Sequence, residues 1–120
     1  EMIESKQELE KGDIVVVDTE NDDMVVKSYE KDMPNVKVVN PDATMIIGNW
    51  KGTWSGYAVS LAGRVFVKVT DENGLIKRGD LITTSSKEGY AMKCDDCKYW
   101  IGTAMQEQNE SEDMILVLLN

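Results

Sequence analysis

The sequence predicts an all-β fold, a small barrel or sandwich of short antiparallel strands. Three observations carry that expectation. Runs of β-branched residues recur between turn residues, as in Ile14-Val15-Val16-Val17 and Leu81-Ile82-Thr83-Thr84. The stretch 57–70 alternates, with Val59, Leu61, Gly63, Val65, Val67 and Val69 at its odd positions. Helical periodicity is nearly absent, and only residues 5–9 suggest a turn or two of helix.

The elements follow in order. Lys11-Gly12-Asp13 leads into the first β-branched run. Asn21-Asp22-Asp23 turns the chain back into Met24-Val25-Val26-Lys27, which makes a hairpin. Val36-Lys37-Val38-Val39 comes next, ended by Asn40-Pro41-Asp42, since proline cannot donate to a ladder. Met45-Ile46-Ile47 is a short apolar segment before Gly48. Gly63 marks a bend in the stretch 57–70, which is too long for one strand of a small domain. Asp71-Glu72-Asn73-Gly74 is a turn, because Asn-Gly supplies positive φ. Tyr90-Ala91-Met92-Lys93 and residues 99–105 are further strands. Residues 106–113 form an acidic loop. Six consecutive apolar residues, 114–119, predict a last strand buried on both faces. Residues 1–9 read as a lead-in, and residues 10–120 as a single all-β domain.

One turn occurs twice. Glu10-Lys11-Gly12-Asp13-Ile14-Val15 and Lys77-Arg78-Gly79-Asp80-Leu81-Ile82 share a basic residue, Gly, Asp and two aliphatics. Each leads into a hairpin ending in lysine, Lys27 or Lys93, and then a third strand. Two repeated hairpin-plus-strand units account for this. The repeat also bears on Arg78-Gly79-Asp80, the tripeptide read by integrin-type receptors. As a turn, glycine gives the backbone angle, aspartate bonds nearby N–H groups, and Arg78 corresponds to Lys11. The turn is preferred over an adhesion ligand.

Composition removes several functions. The chain has 120 residues, 42% of them hydrophobic, which suits one compact domain with a core. A net charge of −9 without a basic stripe argues against nucleic acid and against an anionic membrane surface. No apolar run approaches the ~20 residues that span a bilayer as a helix. Histidine is absent, which removes the commonest general base, the Ser-His and Cys-His pairs and the commonest metal ligand. No catalytic, metal or cofactor residue is assigned. The acidic turns lack the spacing of a calcium loop, and neighbouring Ser85, Ser86 and Lys87 do not converge as a dyad would. The acidic start Glu1-Met2-Ile3-Glu4-Ser5 is unlike a secretory leader, and the chain is read as a piece of a longer protein.

Two constellations remain as candidates. Cys94-Asp95-Asp96-Cys97 has CxxC spacing, but it lies between strands, and its aspartates disfavour a thiolate. Cys94 and Cys97 are therefore candidates for a disulfide in a turn or an intersubunit crosslink. Trp50, Trp54 and Tyr57 sit in a glycine-containing loop and are candidates for stacking on a glycan or anchoring a protein partner.

The series Ser60-Leu61-Ala62-Gly63-Arg64-Val65-Phe66-Val67-Lys68-Val69, Asn73-Gly74-Leu75-Ile76-Lys77-Arg78-Gly79-Asp80-Leu81-Ile82-Thr83-Thr84-Ser85, Gly89-Tyr90-Ala91-Met92-Lys93, Ile101-Gly102-Thr103-Ala104-Met105 and Ile115-Leu116-Val117-Leu118 resembles a known pattern. It is that of a β-rich domain near the C-terminal ends of bacterial and phage tail-fibre and adhesin-like proteins. Residues 10–18 and 29–39 fit its upstream part, so the resemblance spans about 8–119. Lys37 stands where that pattern has glycine, and the tryptophan loop and the CxxC are not part of it. The resemblance implies an extracellular, cell-surface or virion location and self-association, with a trimer favoured. It points to a non-enzymatic structural or assembly module of a longer protein. Two alternatives stand beside it: a glycan- or protein-binding module using the Trp50/Trp54 loop, and a self-cleaving intramolecular chaperone of the peptidase G2 type. No catalytic residue of that type maps onto this chain.

Overall fold

In a computed structural model of the chain, residues 2–41 and 56–120 are described. The fold is all-β. The first half holds β1 (Met2–Ile3), β2 (Ile14–Val17), β3 (Val25–Lys27), β4 (Lys37–Val39) and β5 (Tyr57–Ser60). The second holds β6 (Gly63–Lys68), β7 (Leu81–Thr84), β8 (Ala91–Lys93), β9 (Gly102–Ala104) and β10 (Met114–Leu119). They make two antiparallel five-stranded sheets, of order β1-β5-β4-β2-β3 and β6-β10-β9-β7-β8.

The second order is the first with five added to every strand number. The registers agree as well. Val15 opposes Lys27 as Ile82 opposes Lys93. Ile14 opposes Val38 as Leu81 opposes Thr103. Val39 opposes Val59 as Ala104 opposes Val117. Ile3 opposes Tyr57 as Val67 opposes Ile115. In each half a parallel bridge joins the two outer strands, Glu4 with Met24 and Val69 with Ala91, and draws the sheet towards a closed barrel. The repeat is therefore larger than a hairpin plus a strand: it is the whole five-stranded unit.

The chain passes from one sheet to the other at residues 61–62, between β5 and β6. The break in the stretch 57–70 falls where its glycine marks it. Gly63 has φ +83, a backbone angle that costs glycine little, and the space around it is open.

Each half has a core. Leu9, Val15, Val25, Val39 and Val59 form the first, with Ile3 and Tyr57 packed against it. Val65, Val67, Val69, Ile76, Ile82, Ile115 and Val117 form most of the second, joined by Ile14 and Val38 from the first half. So β2 is covered on both faces: Val15 looks into its own core, and Ile14 into the other. That burial was expected of β10. There, Ile115, Val117 and Leu119 are buried, while Leu118 is 47% exposed. Its six apolar residues alternate in and out after all, because nothing among the described residues covers its outer face as completely as the second half covers β2.

Residues 5–9 are not helical. The Ser5 hydroxyl donates to the Val25 carbonyl (2.6 Å), and the Lys27 N–H donates to Gln7 Oε1 (2.7 Å). These side chains tie the segment across β3, which a local helix could not do. The lead-in residues 2–9 thus supply β1 and the buried Leu9 to the first half. The strand expected at 99–105 is shorter, Gly102–Ala104. The apolar segment Met45-Ile46-Ile47 lies outside the described residues.

Candidate functional site

The two Gly-Asp turns are the same structure. Gly12 and Gly79 have φ +88 and +89. The Glu10 N–H donates to Asp13 Oδ2 (2.7 Å), as the Lys77 N–H donates to Asp80 Oδ2 (2.8 Å). The Gly12 N–H donates to the Val39 carbonyl, and the Gly79 N–H to the corresponding Ala104 carbonyl, both at 2.9 Å. The Asp80 carboxylate closes its own turn, and Arg78 reaches Glu107 at 3.5 Å. Arg78-Gly79-Asp80 is a turn in geometry, as its repetition indicated.

The surroundings of the two turns differ completely. Gly79 has open space around it. Gly12 and Asp13 of the first turn are buried in the joint between the halves. There the Lys68 N–H donates to the Gly12 carbonyl (3.0 Å), and the Ile14 N–H to the Gly89 carbonyl (2.9 Å). A Cβ on Gly12 would meet Met114 Sδ at 2.8 Å. One on Gly89, at φ +78, would meet Asp13 Oδ1 at 2.8 Å. Backbone from the two halves approaches closely here, and glycine makes that approach possible.

At the centre of the joint is an ion cluster. Asp13 is 1% exposed. Its Oδ1 receives no well-aligned hydrogen bond; its partner is the Lys68 ammonium at 2.8 Å, which also meets Glu10 Oε1 at 2.6 Å. The Lys68 side chain lies beside the Tyr90 ring, 5.5 Å from its centre, and Lys87 lies 4.0 Å from the same ring. Burial pulls the Lys68 pKa down, but its close contacts with the negative charges of Asp13 and Glu10 outweigh it and leave the pKa raised. The Glu10 carboxyl is held below its ordinary value, first by the Lys68 hydrogen bond and then by its charge.

These shifts fix the sign of a pH dependence. A lysine with a raised folded pKa contributes stability below its unfolded pKa of about 10.4, and loses it as pH rises through the folded value. A glutamate with a lowered folded pKa contributes above about 4.3 and loses it as pH falls. Thermal melts of the wild-type chain and Lys68→Met should therefore differ most at neutral pH. The gap should narrow at both the acid and the alkaline end; a gap independent of pH would mean that the cluster is not what Lys68 contributes.

The structure joins Cys94 and Cys97 to each other in the turn after β8, with Cα atoms 5.6 Å apart. Both sulfurs are used within this turn. Trp50 and Trp54 lie outside the described residues. Tyr57 is half-buried against the first core, and the Leu9 N–H donates to its hydroxyl (3.3 Å), so it serves the packing of residues 2–9. An aromatic surface appears elsewhere. Tyr99 and Trp100 precede β9 and are exposed beside a shallow groove that also includes Pro34 and Leu61. Asp32 holds this loop by accepting the Lys98 and Tyr99 N–H groups (2.8 and 2.6 Å). Apolar content placed both aromatics in a strand; Asp32, 66 residues or more away along the chain, is what holds them out of one.

Among the described residues, no three His, Cys, Asp or Glu side chains come together as metal ligands would, and no helix is long and apolar enough to cross a membrane. Comparison with protein-family models, with curated proteins and with solved structures finds no match.

Proposed function

We propose that this chain is a non-enzymatic structural and assembly module of a longer surface, fibre or virion-associated protein. One observation carries the reading. The most deeply buried ion pair among the described residues, Lys68 with Asp13, lies in a joint between two repeated units, where it locks one to the other. A catalytic group would need an approach for substrate; here the Asp13 carboxylate is 1% exposed, with Gly89 packed against its Oδ1. The Cys94–Cys97 disulfide is in keeping with an oxidising, extracellular setting. The resemblance to fibre-end domains agrees with both.

The test is the molar mass of the chain in solution, by light scattering on a size-exclusion column over a range of concentrations. An assembly module gives a defined oligomer, with a trimer expected. A chain that stays monomeric up to hundreds of micromolar overturns the reading.

A further inference from the structure

The repeat brings one loop of each half face to face. Counted back from β4 and β9 in the shared register, residues 33–36 correspond to residues 98–101. These two loops wall the shallow groove, of about 450 Å³, together with Leu61 from the passage between the sheets. The loops differ in what they carry: Pro34 and Asn35 stand in the places of Tyr99 and Trp100. The first half builds the loop without an aromatic ring, so the fold does not require one there. Yet in the second half Trp100 is 46% and Tyr99 39% exposed.

The exposed rings are held firmly from behind. The Thr83 hydroxyl donates to the Tyr99 carbonyl, and the Asn120 side-chain amide to the Trp100 carbonyl (2.9 Å). The Ile101 N–H donates to the Ile82 carbonyl (2.8 Å), and the Ile101 carbonyl accepts the Asn120 N–H (3.1 Å). With Asp32 on the Lys98 and Tyr99 N–H groups, most of the main chain of this loop is engaged. A peptide that adds as a strand needs a free main-chain edge, and little of one is left here. Side chains remain. The Trp100 indole N–H, the Asn35 amide and the Lys98 ammonium have no hydrogen-bond or carboxylate partner among the described residues. Lys98 stands 5.4 Å from the centre of the Tyr99 ring. Among the described residues it is the only charged side chain lining the groove, in a chain of net charge −9.

We propose that this groove binds a saccharide carrying a carboxylate, with Trp100 as the stacking platform and Lys98 as the counter-ion. An aromatic face takes the C–H face of a sugar ring, the free donors take its hydroxyls, and the ammonium takes the acid group. Rings already fixed in position lose little freedom on binding. The inference goes beyond the assembly reading and does not rest on it.

Two pairs of probes test it, each an acidic sugar with its uncharged counterpart: trigalacturonate with its methyl ester, and sialyllactose with lactose. In nitrogen–proton correlation NMR spectra of the whole chain, at least one acid at about 10 mM should shift the Trp100 indole signal and the backbone signals of residues 98–100. Its uncharged counterpart should shift them less. Trp100→Ala should weaken binding about tenfold or more. Lys98→Gln, at an exposed position, should reduce the response to the acid to that of the uncharged sugar. Signals away from the groove report whether each variant is folded; if Trp100→Ala is not, the wild-type spectra and Lys98→Gln decide. Spectra unmoved by both acids overturn the proposal, as do equal shifts from acid and uncharged sugar. So does a stronger response to polyglutamate, which would give the groove to an acidic protein segment.

Discussion

Lys68→Met is expected to cost about 3–5 kcal/mol of folding stability, the typical penalty for removing one partner of a buried pair. The Asp13 carboxylate would remain in a joint where it is 1% exposed, with Oδ1 left without its cation. Its other oxygen would still accept the Glu10 N–H, so the turn itself would persist. Against a total stability of about 5–15 kcal/mol, the loss is large enough to separate the halves under mild denaturant. Urea titration measures it. Glu10→Gln provides the contrast: Glu10 binds the same ammonium, but its side chain is 72% exposed. An exposed pair of this kind is screened by water and contributes little, so Glu10→Gln should move the urea midpoint only slightly. If Lys68→Met cost no more than Glu10→Gln, the buried pair would not be what holds the joint.

Gly102→Ala is the second large effect. Gly102 lies in β9 against β10, and a Cβ there would run into the Leu118 carbonyl oxygen and sit 2.9 Å from Val117 Cγ1. The obstacle is the backbone of a strand that pairs on both sides, with β6 and with β9, so it cannot simply move away. Overpacking of this kind costs about 3 kcal/mol. For a chain of this length that corresponds to a fall of about 12 °C in melting midpoint, at roughly 4 °C per kcal/mol. Gly74→Ala is the control. Its φ is +100 but its surroundings are open, so only backbone strain of about 1–2 kcal/mol applies. Melting curves of the two variants should separate clearly, and coincident midpoints would show that β10 yields.

Much of this was legible in the residues. The β-branched runs mark β2 and β7 because strands favour such side chains. Gly63 marks the change of sheet because no other residue takes its backbone angle as cheaply. The paired Gly-Asp turns mark the repeat because glycine and aspartate each have one job there. Beyond the turn and its hairpin, the repeat faded from the sequence. The register Ile3–Tyr57 and Val67–Ile115 preserves main-chain pairing, and main-chain pairing tolerates almost any side chain. The Lys68–Asp13 pair was hidden for a different reason. Lys68 occupies a polar position of an alternating strand, which reads as outward-facing. Only the docking of a second unit turns that outward face into an interior. The same docking covers Ile14 and leaves Leu81 open, and their sequence contexts are nearly the same.

No strand pairing among the described residues crosses residues 61–62. Each half brings its first strand to its last, β1 to β5 and β6 to β10, over some fifty residues, and neither needs the other to set its register. Folding can therefore run as two separate closures, each slowed by the entropy of joining distant ends, followed by one docking step. The cooperativity of the whole chain then resides in the joint. The Gly12–Gly89 approach and its buried lysine decide whether this protein melts as one body or as two.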